Sequence, residues 1–260
     1  MIFQEQHCKL MNEQDLCKKR LIDLSNQASL KDIVTFSDFL NLNEQNIYHS
    51  SKSLYYTCSK AFGGYENAER QMIAFIPDAL CYEWKYPISV IHISPLYPKY
   101  AEDLSHRDVL GALMSLGIDR SKLGDIVKKD HSFYLFADET IAGFLIQELS
   151  QIRHTLVQLE ELHDLQNFSV TPDLKEHNDM IASNRIDCII AKAYHLSRSQ
   201  AAELLLSEKV FLNGKCITNC NQSCTSDSIL SVRGYGRFRF ETNQEISKKG
   251  RLKVRFLYYT

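Results

Sequence analysis

Apolar residues in the last third of the chain recur with the spacing of two short helices and a hairpin. Four of them lie three or four positions apart, namely Ile186, Ile189, Ile190 and Ala193. This spacing predicts a helix with one buried face. Ser197 and Gln200 have the spacing of a capping box, which predicts the start of a second helix. Asn213 and the glycine after it suit a type I′ turn, so residues 210–217 should form a hairpin and residues 227–233 a returning strand.

Strand-like and helix-like segments alternate in the middle of the chain. In order, they are a strand at 88–93, a helix at 106–116, strands near 125–127 and 133–136, a helix at 140–152 and a strand at 154–159. This β-α-β-β-α-β order predicts a ferredoxin-like plait. Ser105 and Asp108 supply a capping box for the first of these helices.

These patterns divide the chain into four predicted parts within an α+β fold. Residues 1–64 should form an N-terminal helical region, and residues 65–167 the α/β plait. Residues 168–183, with Thr-Pro-Asp at 171–173, have the composition of a linker. Residues 184–260 should form a C-terminal domain that ends in a basic hairpin.

Basic and apolar residues alternate near the end of the chain. Residues 237–240 read Arg-Phe-Arg-Phe, and residues 251–256 read Arg-Leu-Lys-Val-Arg-Phe. Because successive strand side chains point to opposite faces, this alternation predicts a hairpin with one cationic face and one apolar face. The cationic face is expected to extend a phosphate-binding surface.

Charge is distributed unevenly along the 260 residues, although the formal net charge is only −2. From Arg185 onward, thirteen Lys and Arg stand against six Asp and Glu, whereas residues 1–184 carry a net charge of −9. A basic C-terminal part joined to an acidic front is the distribution expected when only one part holds a polyanion. This pattern favours an RNA-binding C-terminal domain.

The start of the second predicted helix is the strongest candidate for a phosphate contact. Arg198 lies in its first turn, where a cation opposes the helix dipole, so helix stability does not explain it. Free amides at a helix start beside an arginine suit a phosphate oxygen. The candidate RNA contacts of this domain are Arg185, Lys192, Ser197, Arg198, Ser199, Gln200, Lys209, Asn213, Lys215, Arg233, Tyr235, Arg237 and Arg239.

A second candidate RNA surface lies in the plait, because plaits often bind RNA. Its residues are His106, Arg107, Lys122, Lys128 and Lys129. The acidic charge of this half favours the alternative almost equally, that the plait is a spacer or a protein-docking domain.

Several motifs resemble a known RNA-binding domain. R-x-D at 185–187, S-R-S-x-A at 197–201 and V-x-x-N-G-K at 210–215 resemble the αL-type domain shared with ribosomal small-subunit protein four, here called the S-four domain. With L-S-H-R-D-V-L-G-A-L-M-S-L-G-I at 104–118, L-G-D-I-V at 123–127 and R-G-Y-G-R-F-R-F at 233–240, the whole chain resembles the YlmH-type proteins of Gram-positive bacteria.

This resemblance implies an architecture and a function. An N-terminal region and an α/β domain would precede the S-four domain, which would bind rRNA or tRNA. The implied role is association with the large ribosomal subunit and peptidyl-tRNA in translation quality control. The resemblance also carries a looser link to cell division. The alternative is therefore a division-site adaptor whose N-terminal region binds a protein partner.

Other classes of protein are disfavoured by what the sequence lacks. It has no apolar run of 18 residues and no signal-peptide start, so no membrane insertion and a cytoplasmic location are expected. The eight cysteines are dispersed, and Cys216, Cys220 and Cys224 lack a second pair of zinc ligands, so no metal or cofactor is expected. The sequence lacks G-x-x-x-x-G-K-[ST], H-E-x-x-H and G-x-S-x-G, so no catalytic residue and no enzymatic activity are expected.

Overall fold

The structure is a computed structural model that describes residues 2–65, 68–79, 82–162, 174–246 and 250–259. The chain forms two compact units, Met1–Thr171 and Pro172–Thr260. The fold is α+β, as the sequence predicts, and every strand pair in its sheets is antiparallel.

The first unit begins with two helices and a small sheet. Its elements are α1 (Ile2–Lys31), β1 (Thr35–Phe36), α2 (Leu42–Ser50), β2 (Cys58–Phe62) and β3 (Met72–Ile76). The strands lie in the order β1-β3-β2. The predicted helical region at 1–64 thus contains two helices and, in addition, the strands β1 and β2. Ala28, Ile73 and Phe75 are fully buried together, so α1 packs on this sheet.

The larger sheet of the first unit carries two helices on one face. Its elements are β4 (Ile88–Pro95), α3 (His106–Ser115), β5 (Leu123–Lys129), β6 (Ser132–Asp138), α4 (Glu139–Glu148), β7 (Gln151–Ile152) and β8 (Thr155–Leu162). The strand order is β5-β6-β4-β8-β7. The order of elements along the chain matches the prediction, except that the second helix stops at Glu148. Residues 151–152 instead pair with β8 across a turn in which Arg153 has a φ of 53°.

A partly buried network of hydrogen bonds joins the two sheets of the first unit. The Arg70 guanidinium donates to the carbonyls of Leu123 (2.8 Å) and Phe39 (2.7 Å), and the Asp125 carboxylate accepts the Tyr65 hydroxyl at 2.7 Å. Strand β2 also pairs with β3 along its length. The predicted boundary between residues 64 and 65 therefore lies inside a compact unit and is wrong.

The second unit is a six-stranded sheet with two helices. Its elements are β9 (Leu174–Ile181), α5 (Ile186–Ala193), α6 (Arg198–Leu206), β10 (Val210–Leu212), β11 (Lys215–Cys216), β12 (Ser228–Val232), β13 (Gly236–Ile246) and β14 (Leu252–Tyr259). The strand order is β11-β10-β12-β13-β14-β9. One-turn 3-10 helices in the first unit complete the regular structure at Lys52–Leu54, Pro98–Tyr100 and Arg120–Lys122.

The predicted linker at 168–183 is wrong from Leu174 onward. Strand β9 pairs with β14 from Leu174 opposite Tyr259 to Ile181 opposite Leu252. Strand β9 lies at the edge of the sheet, where mostly polar side chains are tolerated. On its inner face, the buried apolar side chain is that of Ile181. The sequence pattern of a strand is correspondingly weak. Residues 168–173 lie outside the described residues.

The core of the second unit lies between its helices and one face of its sheet. Phe238, Phe240 and Phe256 point inward and pack with Ile189 and Leu205 of the helices. The arginines that alternate with the two β13 phenylalanines must therefore point to the opposite face of the sheet. We call these the inner face and the outer face.

Candidate RNA-binding site

Helix α5 begins with an arginine that is paired to its own first turn. Arg185 occupies the N-cap position, and its Nε and Nη2 atoms donate to the two carboxylate oxygens of Asp187 at 3.0 and 2.8 Å. Burial raises the pKa of the Asp187 carboxyl, but the hydrogen bonds from Arg185 and from the Cys188 amide outweigh burial and hold the pKa below its ordinary value. Arg185 is thus fixed in direction while 42% of its side chain stays exposed.

Helix α6 begins as predicted, with a capping box. The Ser197 hydroxyl accepts the Gln200 amide N–H at 3.2 Å, and the Gln200 side chain accepts the Ser197 N–H at 2.9 Å. The Ser197 and Ser199 hydroxyls lie 2.9 Å apart. The residues from Ser197 to Gln200 are all exposed.

Arg198 connects the two helix starts. Its Nη2 atom lies 3.0 Å from the sulfur of Cys188, which belongs to the first turn of α5. The guanidinium groups of Arg198 and Arg185 therefore converge on the same turn of α5. We call the residues Arg185, Ser197, Arg198, Ser199 and Gln200 the helix-start cluster. The structure brings these five predicted residues together.

The predicted hairpin is confirmed at its turn. Asn213 and Gly214 have φ angles of 46° and 80°, and Leu212 pairs with Lys215. The Asn213 side-chain oxygen accepts the Ile229 N–H at 2.8 Å, so this predicted RNA contact also fastens the turn to β12.

Two further cations lie beside the hairpin. Lys209 and Lys215 are exposed. The Arg233 amide N–H donates to the Lys209 carbonyl at 2.9 Å, and the Arg233 guanidinium lies 5.0 Å from the centre of the Phe211 ring.

The remaining predicted cations do not join a single surface. Arg237 and Arg239 lie on the outer face, away from the helices, so the outer face does not extend the helix-start cluster as the alternation predicted. The Arg237 guanidinium lies 4.5 Å from the centre of the Tyr259 ring. Lys192 pairs with Asp179 of β9 at 3.0 Å, which places its charge away from the start of α5.

Carboxylates offset much of the charge on the outer face. Only 15% of the Arg239 side chain is exposed, and it lies 3.5 Å from Asp227. The Arg239 hydrogen bond to the Tyr259 hydroxyl measures 3.4 Å. Arg255 pairs with Glu241 and lies 3.8 Å from Glu176. A buried, paired arginine is a poor phosphate contact, so Arg239 is a weaker candidate than the sequence suggests.

Tyr235 has an aromatic neighbour that the sequence did not indicate. Its ring is 47% exposed and lies 5.2 Å from the ring of Tyr194, the C-cap residue of α5. Burial raises the pKa of the Tyr194 hydroxyl. Tyr194, Phe211 and Tyr259 each support a predicted contact residue. Alternation within a strand separates Phe211 and Tyr259 from their inward-facing neighbours, but only the position of the helices identifies their face as the outer one.

The second predicted surface, in the first unit, is divided. His106 and Arg107 are exposed at the start of α3, and Lys129 is exposed at the end of β5. Lys128 is held by Asp103 at 2.6 Å and by the Leu104 carbonyl at 2.9 Å.

Lys122 lies apart from these residues, at the opposite end of β5. Its ammonium group bridges Asp38 and Asp138, at 2.9 Å from each. Burial lowers the pKa of this ammonium, but the two carboxylates outweigh burial and raise the pKa. Lys122 therefore supports the fold and does not join an RNA surface with the other four residues.

Within the part of the chain that the structure describes, no three His, Cys, Asp or Glu side chains cluster as metal ligands. Of the cysteines with zinc-like spacing, Cys216 is exposed, whereas Cys224 is buried in the core. No helix in the described ranges is long and apolar enough to cross a membrane.

The chain is similar to known proteins. Residues 82–166 match the family model described as "Putative RNA-binding domain in YlmH". A Bacillus subtilis protein, the "Ribosome-associated protein quality control protein P2", is 28% identical over 224 residues, which cover 85% of each chain. The chain is therefore similar to YlmH-type RNA-binding proteins.

A solved structure is also similar to part of this chain. The "Cell division protein ylmH from Streptococcus pneumoniae" is 19% identical and covers 62% of this chain and 93% of its own, with a TM-score of 0.47. The matched residues 82–166 include the larger sheet of the first unit and leave the helix-start cluster outside their range. The role of that cluster therefore depends on its own geometry.

Proposed function

We propose that this chain is a non-catalytic YlmH-type protein that binds structured rRNA or tRNA through its second unit, which acts as an S-four domain. In the finer form of the proposal, it associates in the cytoplasm with the large ribosomal subunit and peptidyl-tRNA during translation quality control. The Bacillus subtilis relative, whose name describes ribosome-associated quality control, supports this role.

The observation that carries the proposal is the convergence of two helix starts on one pair of arginines. The first amides of a helix have no acceptor within the helix, and the helix dipole makes this end partly positive. At α6, the capping box uses the Gln200 amide, which leaves the amides of Arg198 and Ser199 at the head of the helix. Arg198 and Arg185 add two cations at the same place. Such an arrangement suits an RNA phosphate.

The exposed cations beside the hairpin supply further phosphate contacts. Lys209 and Lys215 have flexible side chains that can reach phosphates at different positions along a helix. Contacts of this kind supply affinity but little sequence choice. Recognition is therefore expected to depend on RNA shape, as in most binding of structured RNA.

The test is ribosome cosedimentation of the full chain with paired charge reversals. Arg198→Glu with Lys215→Glu places two negative charges in the proposed site. Arg237→Glu with Lys253→Glu makes the same charge change on the outer face and is the matched control. The first pair should abolish sedimentation with bacterial ribosomes at low salt, and the control pair should retain most of it.

Three outcomes bear on the proposal. Cosedimentation that survives the first pair would overturn the assignment of the helix-start cluster. RNA crosslinked to the wild-type chain in cells should come mainly from large-subunit rRNA and tRNA. Crosslinking at background level, with division defects when the chain is removed, would favour the protein-adaptor alternative instead.

A further inference from the structure

Among the described residues, one face of the larger sheet of the first unit is only half covered. Its other face packs on α3 and α4 through Ile91, Leu135 and their neighbours. On the half-covered face, Val90 and Phe136 are buried beneath Phe39 of the N-terminal region. Further along the same strands, this cover ends and the side chains are partly or fully exposed.

A stacked aromatic pair lies where the cover ends. His92 of β4 is directly opposite Tyr134 of β6, and their ring centres are 5.0 Å apart at an interplanar angle of 22°. Both side chains are half-buried. Tyr134 also packs at the margin of the buried cluster around Phe136, which limits the motion of its ring.

Polar groups surround this pair on the same face. In the next row, the Gln158 amide donates to the Ser94 hydroxyl at 3.2 Å. On β5, Val127 pairs with Tyr134. The exposed Lys129 lies two residues further along β5 and therefore on the same face. On β8, the exposed Glu160 is directly opposite His92.

These groups match the chemistry of an unpaired nucleotide. RNA-binding sheets hold single strands by stacking bases on exposed rings, and neighbouring side chains bond the base edges. Lys129 can pair with a phosphate, whereas Glu160 repels one, so the RNA backbone should run on the β5 side of the aromatic pair. A surface for a protein partner would instead be expected to present a larger apolar patch.

We propose that this uncovered half of the sheet binds one or two unpaired RNA nucleotides, with a base stacked on Tyr134 and His92 and a phosphate near Lys129. The site is separate from the helix-start cluster, and it relies on the proposed function only in taking RNA as the ligand. Of the five residues in the second surface predicted from the sequence, this site includes Lys129. All six of its ring and polar positions fall within the residues matched by the RNA-binding family model.

The experiment measures binding of the full chain to a fluorescent 12-nucleotide single strand of mixed sequence and to a structured hairpin RNA. Tyr134→Ala should weaken single-strand binding about fivefold or more, because stacking on one ring contributes about that much. Tyr134→Phe keeps the ring and should bind like the wild type. Tyr56→Ala removes a tyrosine that is 65% exposed elsewhere in the first unit and is the matched control.

A second measurement does not depend on a variant that could lose its fold. Ultraviolet crosslinking of the wild-type chain to the single strand should attach nucleotides to peptides that contain His92 or Tyr134. Unchanged binding by Tyr134→Ala, or crosslinks confined to other peptides, would overturn this site. Wild-type binding to the hairpin RNA but not to the single strand would also overturn it, while leaving the proposed function intact. Conversely, loss of hairpin binding in Arg198→Glu with Lys215→Glu, with single-strand binding retained, would support two separate sites.

Discussion

Both carboxylate oxygens of Asp187 accept hydrogen bonds from the Arg185 guanidinium, at 3.0 and 2.8 Å. Asp187 is buried and also accepts the Cys188 amide N–H at 2.9 Å. The R-x-D motif therefore has a structural role at the start of α5, besides holding Arg185 toward the proposed RNA site. The structural role predicts that substitution of Asp187 lowers stability, and the positioning role predicts that it changes RNA binding.

Asp187→Asn should destabilise the second unit and weaken RNA binding, because Arg185 loses the partner that holds it toward the proposed RNA site. The amide keeps the shape of the side chain but loses one acceptor and the charge that pairs with Arg185. A loss of about 1–3 kcal/mol is expected for a buried hydrogen-bonded group. Hydrogen exchange of amides in β10, β12 and β13 would report this loss selectively for the second unit. Weaker RNA binding without loss of protection would contradict the structural role.

The same pair predicts a pH dependence of stability. The pKa of Asp187 is lowered in the folded chain, so the unfolded state binds its proton more readily. The stabilisation is therefore complete above the unfolded pKa of about 3.9 and is lost as the pH falls through the lower folded value. The difference in protection between the wild type and Asp187→Asn should be constant at neutral pH and shrink in acid. A difference that grew in acid would contradict the sign of this shift.

Arg198→Gln should reduce both RNA affinity and its dependence on salt. Each phosphate that a cation neutralises contributes roughly 0.7–0.9 to the slope of log affinity against log salt concentration. Loss of this one contact should lower the slope by about that amount in a titration with structured RNA. Arg237→Gln on the outer face is the matched control and should leave the slope closer to the wild-type value. Equal losses from both variants would mean that both faces bind.

Local sequence patterns predicted the starts of α3 and α6 and the turn after β10 correctly. These features depend only on residues that lie within a few positions of each other, so they can be recognised from the sequence. Examples are the capping boxes at Ser105 and Ser197 and the turn at Asn213. Strand β9 and the arrangement of the sheets depend on pairing between residues that are distant in the chain. Strand β9 was missed because its stabilisation comes mainly from pairing with β14.

In the candidate sites, too, local features could be predicted from the sequence, whereas features that depend on distant residues could not. Alternation places Arg237 and Arg239 on one face of β13, but only the position of the helices reveals that this face is the outer one. Likewise, Ile91 and Ile93 flank His92, so alternation alone separates His92 from the core. The stacking of His92 on Tyr134 could not be predicted, because it depends on the register between β4 and β6. Local sequence patterns do not determine that register.

Arg70→Met should destabilise the first unit strongly. The Arg70 guanidinium donates to the carbonyls of Leu123, Phe39 and Arg120, and methionine leaves all three without this donor. The expected loss is about 3 kcal/mol or more. Trp84 is the only tryptophan of the chain and belongs to the first unit, so urea unfolding followed by its fluorescence reports this unit.

The control for this substitution is Lys18→Met, which makes the same chemical change at an exposed position of α1. It should alter the unfolding free energy by less than about 0.5 kcal/mol. Similar effects from both variants would show that the Arg70 network does not hold the two sheets of the first unit together.

Two glycine-to-alanine substitutions in the first unit should act in opposite directions. Gly64 has a φ of 99°, and a Cβ atom there would lie 2.3 Å from the Phe136 ring, so Gly64→Ala combines backbone strain with a steric clash. A loss of about 1–3 kcal/mol is expected. Gly143 lies within α4 with no neighbour inside 4 Å of an added Cβ, so Gly143→Ala should stabilise the unit by about 0.5–1 kcal/mol. Trp84 fluorescence during urea unfolding measures both changes. A neutral effect of Gly64→Ala would show that the segment after β2 can rearrange without cost. Its packing on Phe136 would then not contribute to stability.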